Sequence, residues 1–329
     1  MIKNSFDATV PSTSASTSTS NVIETFGISK IIDGNTVLRD VNFSVRKGSV
    51  HGLVGSNGAG KTTLLRLLNG VYEPTKGEVR VFGQLLVGDA AAIRQRVHLV
   101  SADGAFYPGF RVQDLLQYAS LLYEKWDKTR AKDLVTALDL PLHQPIRKLS
   151  LGMKMQLRLA VALASRPDVL LLDEPTNGLD PVVRRQFLGL IVQEVAGTGM
   201  SVVFATHRLE ELEAMADEIS VLYQGRTLLS GNLEDFKTAY REVVAVVGAH
   251  DALDDRASAN DSLPHLGVVA QHSRGKIQSF IVKGDTSPLR SYLLQSGAVH
   301  IEEQPVKFED LFRALMEKEG YTRDAILLS

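Results

Sequence analysis

Residues 55–62 read Gly55-Ser56-Asn57-Gly58-Ala59-Gly60-Lys61-Thr62, which fits the phosphate-binding pattern G-x-x-x-x-G-K-[ST]. An apolar run that ends at Leu53-Val54 precedes this stretch, and a helical pattern begins near Thr62. Glycines allow the backbone to approach a ligand closely, and the N–H groups at the start of a helix attract anions. The strand–loop–helix context therefore favours a phosphate-binding loop over a chance glycine loop.

The side chains of this loop suit a nucleotide and its magnesium ion. Lys61 brings a positive charge to the β- and γ-phosphates, and the hydroxyl group of Thr62 is a ligand for Mg²⁺. We expect the whole stretch from Gly55 to Thr63 to bind the nucleotide. Within it, we expect Lys61 to contribute to catalysis and Thr62 to hold the metal ion.

A second acidic element lies further along the chain. Residues 169–172 form a continuous apolar run, as in a strand buried in a parallel sheet, and Asp173 and Glu174 follow it. In open α/β sheets ligands bind at the carboxyl ends of the strands. We expect Asp173 to hold Mg²⁺ through water and Glu174 to orient or deprotonate the attacking water. Alone the pattern also fits an ordinary acidic strand end, but the phosphate loop favours the catalytic interpretation.

Strand and helix patterns alternate through most of the chain. Short apolar runs at 50–54, 97–100, 169–172 and 201–205 alternate with helical patterns at 62–69, 112–140, 149–164 and 182–195. Such alternation predicts an α/β fold with a mostly parallel sheet, which together with the phosphate loop is typical of a P-loop NTPase. The helical patterns between about residues 103 and 165 indicate an inserted helical subdomain.

Further motifs narrow this broad class. The stretch Leu149-Ser150-Leu151-Gly152-Met153 lies before a helix and resembles the signature motif of ABC ATPases. The segment from Glu174 to Asp180 resembles the family's extended Walker B motif and D-loop, and His207 is similar to its switch histidine. The motifs occur in the family's order over about residues 22–235. The chain thus resembles an ATP-binding subunit of an ABC transporter, of the exporter or multidrug type.

The resemblance implies how the site works. ABC ATPases form head-to-tail dimers that hold two ATP molecules with Mg²⁺ in the interface. Each ATP would contact residues 55–63 of one subunit, and Ser150 and Gly152 of the other. His207 would contact the γ-phosphate, and Asp180 would couple the two sites. The dimer could be made of two identical chains or of this chain with a related ATPase.

Composition limits the partners that this chain can have. A net charge of −2 does not favour nucleic acid, and the absence of cysteine excludes disulfides. The sequence has no apolar run of about 18 residues, so no membrane-spanning helix is predicted, and its N-terminus lacks the apolar core of a signal peptide. The resemblance therefore implies a separate membrane-spanning permease. It places the chain at the cytoplasmic face of the cell membrane, attached through that permease.

Two flanking regions differ from the ATPase domain expected at residues 22–235. Residues 11–20 are rich in serine and threonine and cannot bury enough apolar surface to offset the entropy of ordering them. We therefore predict a disordered tail at residues 1–21. Short strand and helix patterns at residues 236–329 predict a small α+β domain that carries no recognisable motif.

Several positions depart from the family pattern. Ile31 or Ile32 lies where an aromatic residue usually stacks on adenine. Ala102, followed by Asp103, lies where the Q-loop glutamine is usual, and Leu151 and Met153 replace the usual glycine and glutamine of the signature. The form S-x-G-M is familiar in ATPases that drive small multidrug or peptide-antibiotic exporters, which favours export.

Two alternatives stay open. One is a soluble ABC ATPase that remodels a protein or ribosome complex, although such translation factors usually carry two nucleotide domains and this chain has a single phosphate loop. The other is a catalytically inactive nucleotide sensor. Lys61 and Glu174 argue against the sensor, whereas Ala102 leaves it open.

Overall fold

The computed structural model describes residues 20–88, 90–101, 104, 106–107, 109–247 and 263–318. The predicted tail up to residue 19 and the two Q-loop residues Ala102 and Asp103 lie outside these ranges. The chain divides into two compact units, Met1–Ser230 and Gly231–Ser329. Within the described ranges, no helix combines the length and the apolarity that are needed to cross a lipid bilayer.

The first unit is built from alternating strands and helices. Its strands are β1 (Asn21–Ile32), β2 (Asn35–Arg46), β3 (Val50–Val54), β4 (Lys76–Val81), β5 (Gln84–Leu85), β6 (Val97–Ser101), β7 (Val169–Asp173), β8 (Ser201–Thr206), β9 (Glu218–Tyr223) and β10 (Arg226–Asn232). Its helices are α1 (Lys61–Leu68), α2 (Ala91–Arg94), α3 (Val112–Leu122), α4 (Lys128–Ala137), α5 (Leu151–Ala164), α6 (Pro181–Thr198) and α7 (Leu209–Glu213). The last two residues of β10 lie past the boundary between the units.

A parallel sheet positions the predicted motifs. Its strand order is β10-β9-β3-β8-β7-β6, and strand β3 pairs in parallel with both β8 and β9, as β7 does with β6 and β8. Strands β3, β7 and β8 are buried along their whole length, as their continuous apolar sequences predict. The prediction of an α/β fold with a mostly parallel sheet is confirmed, since β3, β6, β7, β8 and β9 pair in parallel. Its carboxyl edge brings the ends of β3, β7 and β8 side by side.

A second, antiparallel sheet was not predicted as a separate layer. Its order is β2-β1-β4-β5, and the long strands β1 and β2 form its centre and one edge. Residue Asn21, which we had assigned to the tail, begins β1. Helix α1 lies between the two sheets, where Leu64, Leu65, Leu67 and Leu68 belong to the main core cluster. This apolar anchoring holds α1, and therefore the loop that precedes it, in place.

The helical subdomain consists of α3, α4 and α5. The helical pattern over residues 112–140 is divided between α3 and α4. Asp127 begins α4, because its carboxylate accepts a hydrogen bond from the backbone N–H of Arg130 at 2.8 Å. The same carboxylate pairs with Arg166 at 2.7 Å, just beyond the end of α5. Asp127 thus links the start of α4 to the end of α5, the two helices that pack most closely in this subdomain.

The second unit has an α+β fold, as predicted. Its elements are α8 (Leu233–Ala239), β11 (Tyr240–Val247), β12 (Val268–Arg274), β13 (Ile277–Lys283), α9 (Ser287–Gln295), β14 (Ala298–Pro305) and α10 (Phe308–Lys318). The sheet order is β12-β13-β11-β14, and every neighbouring pair is antiparallel. Val243 and Phe280 form its core with Leu289 and Leu293 of α9.

A buried histidine lies on β6 of the first unit. His98 is 6% exposed, its Nδ1 lies 2.8 Å from Oγ of Ser165, and its ring contacts the ring of Tyr123 with centroids 4.6 Å apart. Burial lowers the pKa of His98 to about 4, and hydrogen bonds involving the backbone of Gln95 and Arg94 oppose this shift in part. The folded protein therefore keeps this ring neutral at pH values where an exposed histidine takes up a proton.

This histidine should make the stability of the first unit depend on pH. Below pH 6.5 the unfolded chain binds a proton at His98 and the folded chain does not, until the pH approaches 4. Relative to His98→Phe, the wild type should lose about 3 kcal/mol of unfolding free energy between pH 6.5 and pH 4. Urea unfolding of both proteins at several pH values measures this. If the difference in unfolding free energy between the wild type and His98→Phe does not change with pH, the prediction is wrong.

Candidate active site

The phosphate loop joins β3 to α1 in a conformation that only glycine allows at two points. Gly60 has a φ of +107° and directly precedes Lys61, the first residue of α1. A Cβ atom at Gly60 would lie 2.7 Å from Cδ2 of Leu38, and one at Gly55 would lie 2.4 Å from the carbonyl oxygen of Leu222. Close packing on both sides thus requires the first and last glycines of the motif.

The loop borders a cleft of about 190 Å³. Most of its lining comes from the predicted loop, and Val37 of β2 and Glu174 complete it; the lining residues are Val37, Ser56, Asn57, Gly58, Gly60, Lys61, Thr62, Thr63 and Glu174. Val37 was missed in the sequence analysis, because an aliphatic residue on a strand has no chemical signature. Ile32, where we expected contact with the base, is not among the described residues that line this cleft.

The Lys61 ammonium group is buried and makes contacts with three oxygen atoms of the protein. Its side chain is 6% exposed, and Nζ donates hydrogen bonds to the carbonyl oxygens of Gly55 at 2.6 Å and Ser56 at 3.3 Å. Nζ also lies 3.0 Å from Oε1 of Glu174. Because a buried charge needs compensation, these oxygens occupy the positions around Lys61 that an anionic ligand would take.

Glu174 connects Lys61 to His207. Oε2 of Glu174 lies 2.8 Å from Nδ1 of His207, while Oε1 contacts Lys61. The backbone of Glu174 has a φ of +48° and donates a hydrogen bond from its N–H to the carbonyl oxygen of Ala205 at 2.9 Å. This uncommon backbone conformation places the carboxylate between Nζ of Lys61 and the ring of His207. The structure thus brings together all three predicted catalytic side chains.

The two predicted metal ligands suit a magnesium ion. Thr62 lines the cleft, and Asp173 is buried at the carboxyl end of β7. Hydroxyl and carboxylate oxygens are the hard donors that Mg²⁺ prefers. Among the residues that the structure describes, no group of three or more His, Cys, Asp or Glu side chains could hold a metal ion. A magnesium ion here would therefore take its remaining ligands from the nucleotide and water.

The residues expected to act across a dimer lie at the starts of two helices. Oγ of Ser150 accepts a hydrogen bond from the N–H of Met153 at 3.1 Å and so begins α5. Oδ1 of Asp180 accepts two hydrogen bonds at 3.0 Å from N–H groups in the first turn of α6. Ser150, Gly152 and Asp180 are absent from the described lining of the cleft. In a single chain these residues are therefore not brought together with the phosphate loop.

The signature segment contacts the D-loop segment of the same chain. Leu151 is 53% exposed, and its Cδ2 atom would lie 2.8 Å from a Cβ atom placed on Gly178. Gly178 also has a φ of +75°. A Cβ atom on Gly152 would in turn lie 3.1 Å from Cδ2 of Leu179. The leucine that replaces the usual signature glycine thus covers Gly178.

A buried carboxylate contacts residues that neighbour Glu174 and His207 in the sequence, and it was missed in the sequence analysis. Glu211 of α7 lies close to the hydroxyl groups of Thr176 and Thr206 and to the side chains of Arg184 and Arg208. Burial raises the pKa of its carboxyl group, while the two hydroxyl groups and then the two arginines act against this. Because the sequence around Glu211 is simply an acidic helical stretch, only its buried position distinguishes it.

Comparison with known proteins supports one family. The family described as ABC transporter matches residues 38–177. The chain is 31% identical to the ABC transporter ATP-binding protein YtrB of Bacillus subtilis (strain 168), over 89% of this chain and 97% of that protein. It is 32% identical to the Nod factor export ATP-binding protein I of Ralstonia nicotianae, over 91% of this chain and 94% of that protein.

A solved structure agrees with this result. The structure titled as the ATP binding subunit of an ABC transporter has a TM-score of 0.62 and 26% sequence identity, and the match covers 66% of this chain and 92% of that one. The phosphate loop and the acidic end of β7 lie within residues 38–177, which match the family. The chain is therefore an ATPase that belongs to the family of ABC transporter ATP-binding proteins.

Proposed function

We propose that two copies of this chain close on two Mg²⁺–ATP molecules and that hydrolysis drives a separate membrane permease, which exports its cargo. The observation that carries this proposal is the continuous contact from Lys61 through Glu174 to His207 beside the phosphate loop. We assign the ATPase domain to residues 22–235, with its helical subdomain at about 103–165. Residues 236–329 form a separate small domain in this proposal.

The three side chains would divide the work of hydrolysis. Phosphate oxygens would replace the carbonyl oxygens and Glu174 around Nζ of Lys61. The released carboxylate of Glu174 would then orient the attacking water and accept its proton. His207 would keep Glu174 in place, because a carboxylate only accepts hydrogen bonds and Nδ1 must therefore carry a proton. Mg²⁺, held by Thr62 and Asp173, would neutralise charge on the phosphates.

The dimer would complete each site. Ser150 and Gly152 lie at the start of α5, a helix of 14 residues whose N-terminal end favours negative charge. In a head-to-tail dimer this end would face the γ-phosphate bound to the partner's loop, and Asp180 would couple the two sites. We propose a homodimer; pairing with a related ATPase is the alternative.

The relatives and the signature support a permease partner and export as the direction of transport. One relative is named as an export ATP-binding protein, and the signature here has the form S-x-G-M, with Met153 as its last residue. We propose a location at the cytoplasmic face of the cell membrane, attached through the permease. A net charge of −2 gives no reason to include nucleic acid among the partners.

Replacing Glu174 should separate binding from turnover. Glu174→Gln removes the base but keeps the shape of the side chain, so ATP hydrolysis should fall by roughly 100-fold or more. ATP binding should persist, and a long-lived dimer should appear on a sizing column with ATP. Glu210→Gln, an exposed position on α7, is the matched control. Unchanged turnover in Glu174→Gln would remove Glu174 from its catalytic role.

Replacing Lys61 should instead weaken nucleotide binding. Lys61→Ala deletes the buried ammonium group, so affinity for a fluorescent ATP analogue should fall by about tenfold or more, and hydrolysis should stop. Lys132→Ala, on the exposed side of α4, should leave both unchanged. Equal affinity of Lys61→Ala and wild type would contradict our assignment of the loop.

The permease can be identified by capture. Tagged Glu174→Gln protein is purified with ATP from detergent-solubilised membranes of the source cells, and mass spectrometry identifies the proteins that accompany it. The same purification with Lys61→Ala controls for partners that do not depend on nucleotide. A stoichiometric multi-helix membrane protein would support the transporter proposal. Only soluble partners or ribosomes, in a preparation where another transporter stays intact, would favour the soluble remodelling alternative.

A further inference from the structure

Glu211 is a buried acid that the proposed mechanism does not use. It lies on α7, which begins two residues after His207, and its side chain is 5% exposed. Burying a carboxylate costs free energy unless hydrogen bonds and opposite charges compensate. The partners of Glu211 therefore show which parts of the site depend on it.

Two threonines donate hydrogen bonds to this carboxylate. Oγ1 of Thr176 lies 2.9 Å from both carboxylate oxygens, and Oγ1 of Thr206 lies 3.2 Å from Oε2. Both threonines are fully buried. Thr176 is two residues after Glu174, and Thr206 directly precedes His207. One carboxylate thus joins the two backbone segments that carry the catalytic pair.

Two arginines extend this group of contacts. Nε of Arg184 lies 3.5 Å from Glu211, and Nε of Arg208 lies 4.0 Å from it. Arg184 also donates a hydrogen bond from Nη2 to the carbonyl oxygen of Leu179 at 3.2 Å. The contacts of Glu211 therefore reach the D-loop segment as well as the two segments that hold the catalytic pair.

We propose that Glu211 is a positioning residue that holds Glu174 and His207 at hydrogen-bonding distance, and that it sets the rate of hydrolysis without setting nucleotide affinity. This inference rests on the catalytic role of Glu174 given under the proposed function. Glu211 would act on the turns that follow β7 and β8, and it is absent from the described lining of the cleft beside the phosphate loop. Loss of the hydrogen bonds and ion pairs of Glu211 would let the two turns separate. The phosphate loop, which joins β3 to α1, would keep its shape.

Glu211→Gln tests whether the negative charge of Glu211 is needed, because glutamine has nearly the same shape without that charge. An amide oxygen can still accept from Thr176, but the attraction to Arg184 and the second acceptor oxygen are lost. We expect kcat to fall by about tenfold or more, since each factor of ten corresponds to about 1.4 kcal/mol of transition-state stabilisation. KM and the dissociation constant for a fluorescent ATP analogue should stay within about twofold. Glu210→Gln, exposed on the same helix, should match wild type in all three values.

The threonines supply a second test that leaves the charge in place. Thr176→Val and Thr206→Val each remove one hydroxyl group, and each should lower kcat with little effect on KM. When either valine substitution is combined with Glu211→Gln, the further fall in kcat should be smaller than the fall that the valine substitution causes alone. The reason is that substitutions within one hydrogen-bonded group do not have additive effects. These variants also keep the test informative if Glu211→Gln does not fold.

The outcomes separate this inference from the proposed function. If Glu174→Gln abolishes turnover while Glu211→Gln and both valine variants keep the wild-type kcat, the positioning role is wrong and the proposed function stands. If the Glu211→Gln variant loses nucleotide affinity and thermal stability in proportion to kcat, Glu211 is merely structural and the inference is overturned. If Glu174→Gln retains full turnover, the catalytic assignment itself fails.

Discussion

The arrangement of the site depends on how the protein compensates one buried ammonium group. Nζ of Lys61 is surrounded by the carbonyl oxygen of Gly55 and by Glu174, at 2.6 and 3.0 Å. These contacts join Lys61 to its own loop and to the acidic turn that follows β7. In the proposed mechanism, the phosphates of a nucleotide would compete with these oxygens of the protein for the same cation. Nucleotide binding would then also release the carboxylate of Glu174 from Lys61.

The strand order makes this possible. Strands β3, β8 and β7 are neighbours in one parallel sheet, so the phosphate loop, the histidine turn and the acidic turn leave the same edge. The register pairs Asp173 with Ala205, which puts Glu174 next to the turn that carries His207. Backbone hydrogen bonds therefore bring together the turns that carry Glu174 and His207.

The sequence was sufficient to predict those features that depend on a local pattern of residues. The phosphate loop, the apolar strand before Asp173 and the parallel sheet could all be predicted, because a motif and its flanking periodicity are contiguous in the chain. The antiparallel sheet, the cleft position of Val37 and the buried position of Glu211 could not. Each of these depends on segments far apart in sequence, and neither residue type carries a distinctive signal. The roles of Ser150 and Asp180 at an interface remain predictions, since a single chain shows these residues only as helix caps.

The contact between Leu151 and Gly178 constrains how this family member can diverge. Two independent barriers keep other residues out of position 178: a backbone with φ of +75°, and a leucine methyl group 2.8 Å from where a Cβ atom would lie. Losing the leucine removes only the second barrier, and asparagine is then the residue best able to adopt the remaining conformation. Leu151 is 53% exposed and its methyl group can move, so the backbone conformation is the stronger of the two barriers. Position 178 should therefore accept few residues other than glycine and asparagine.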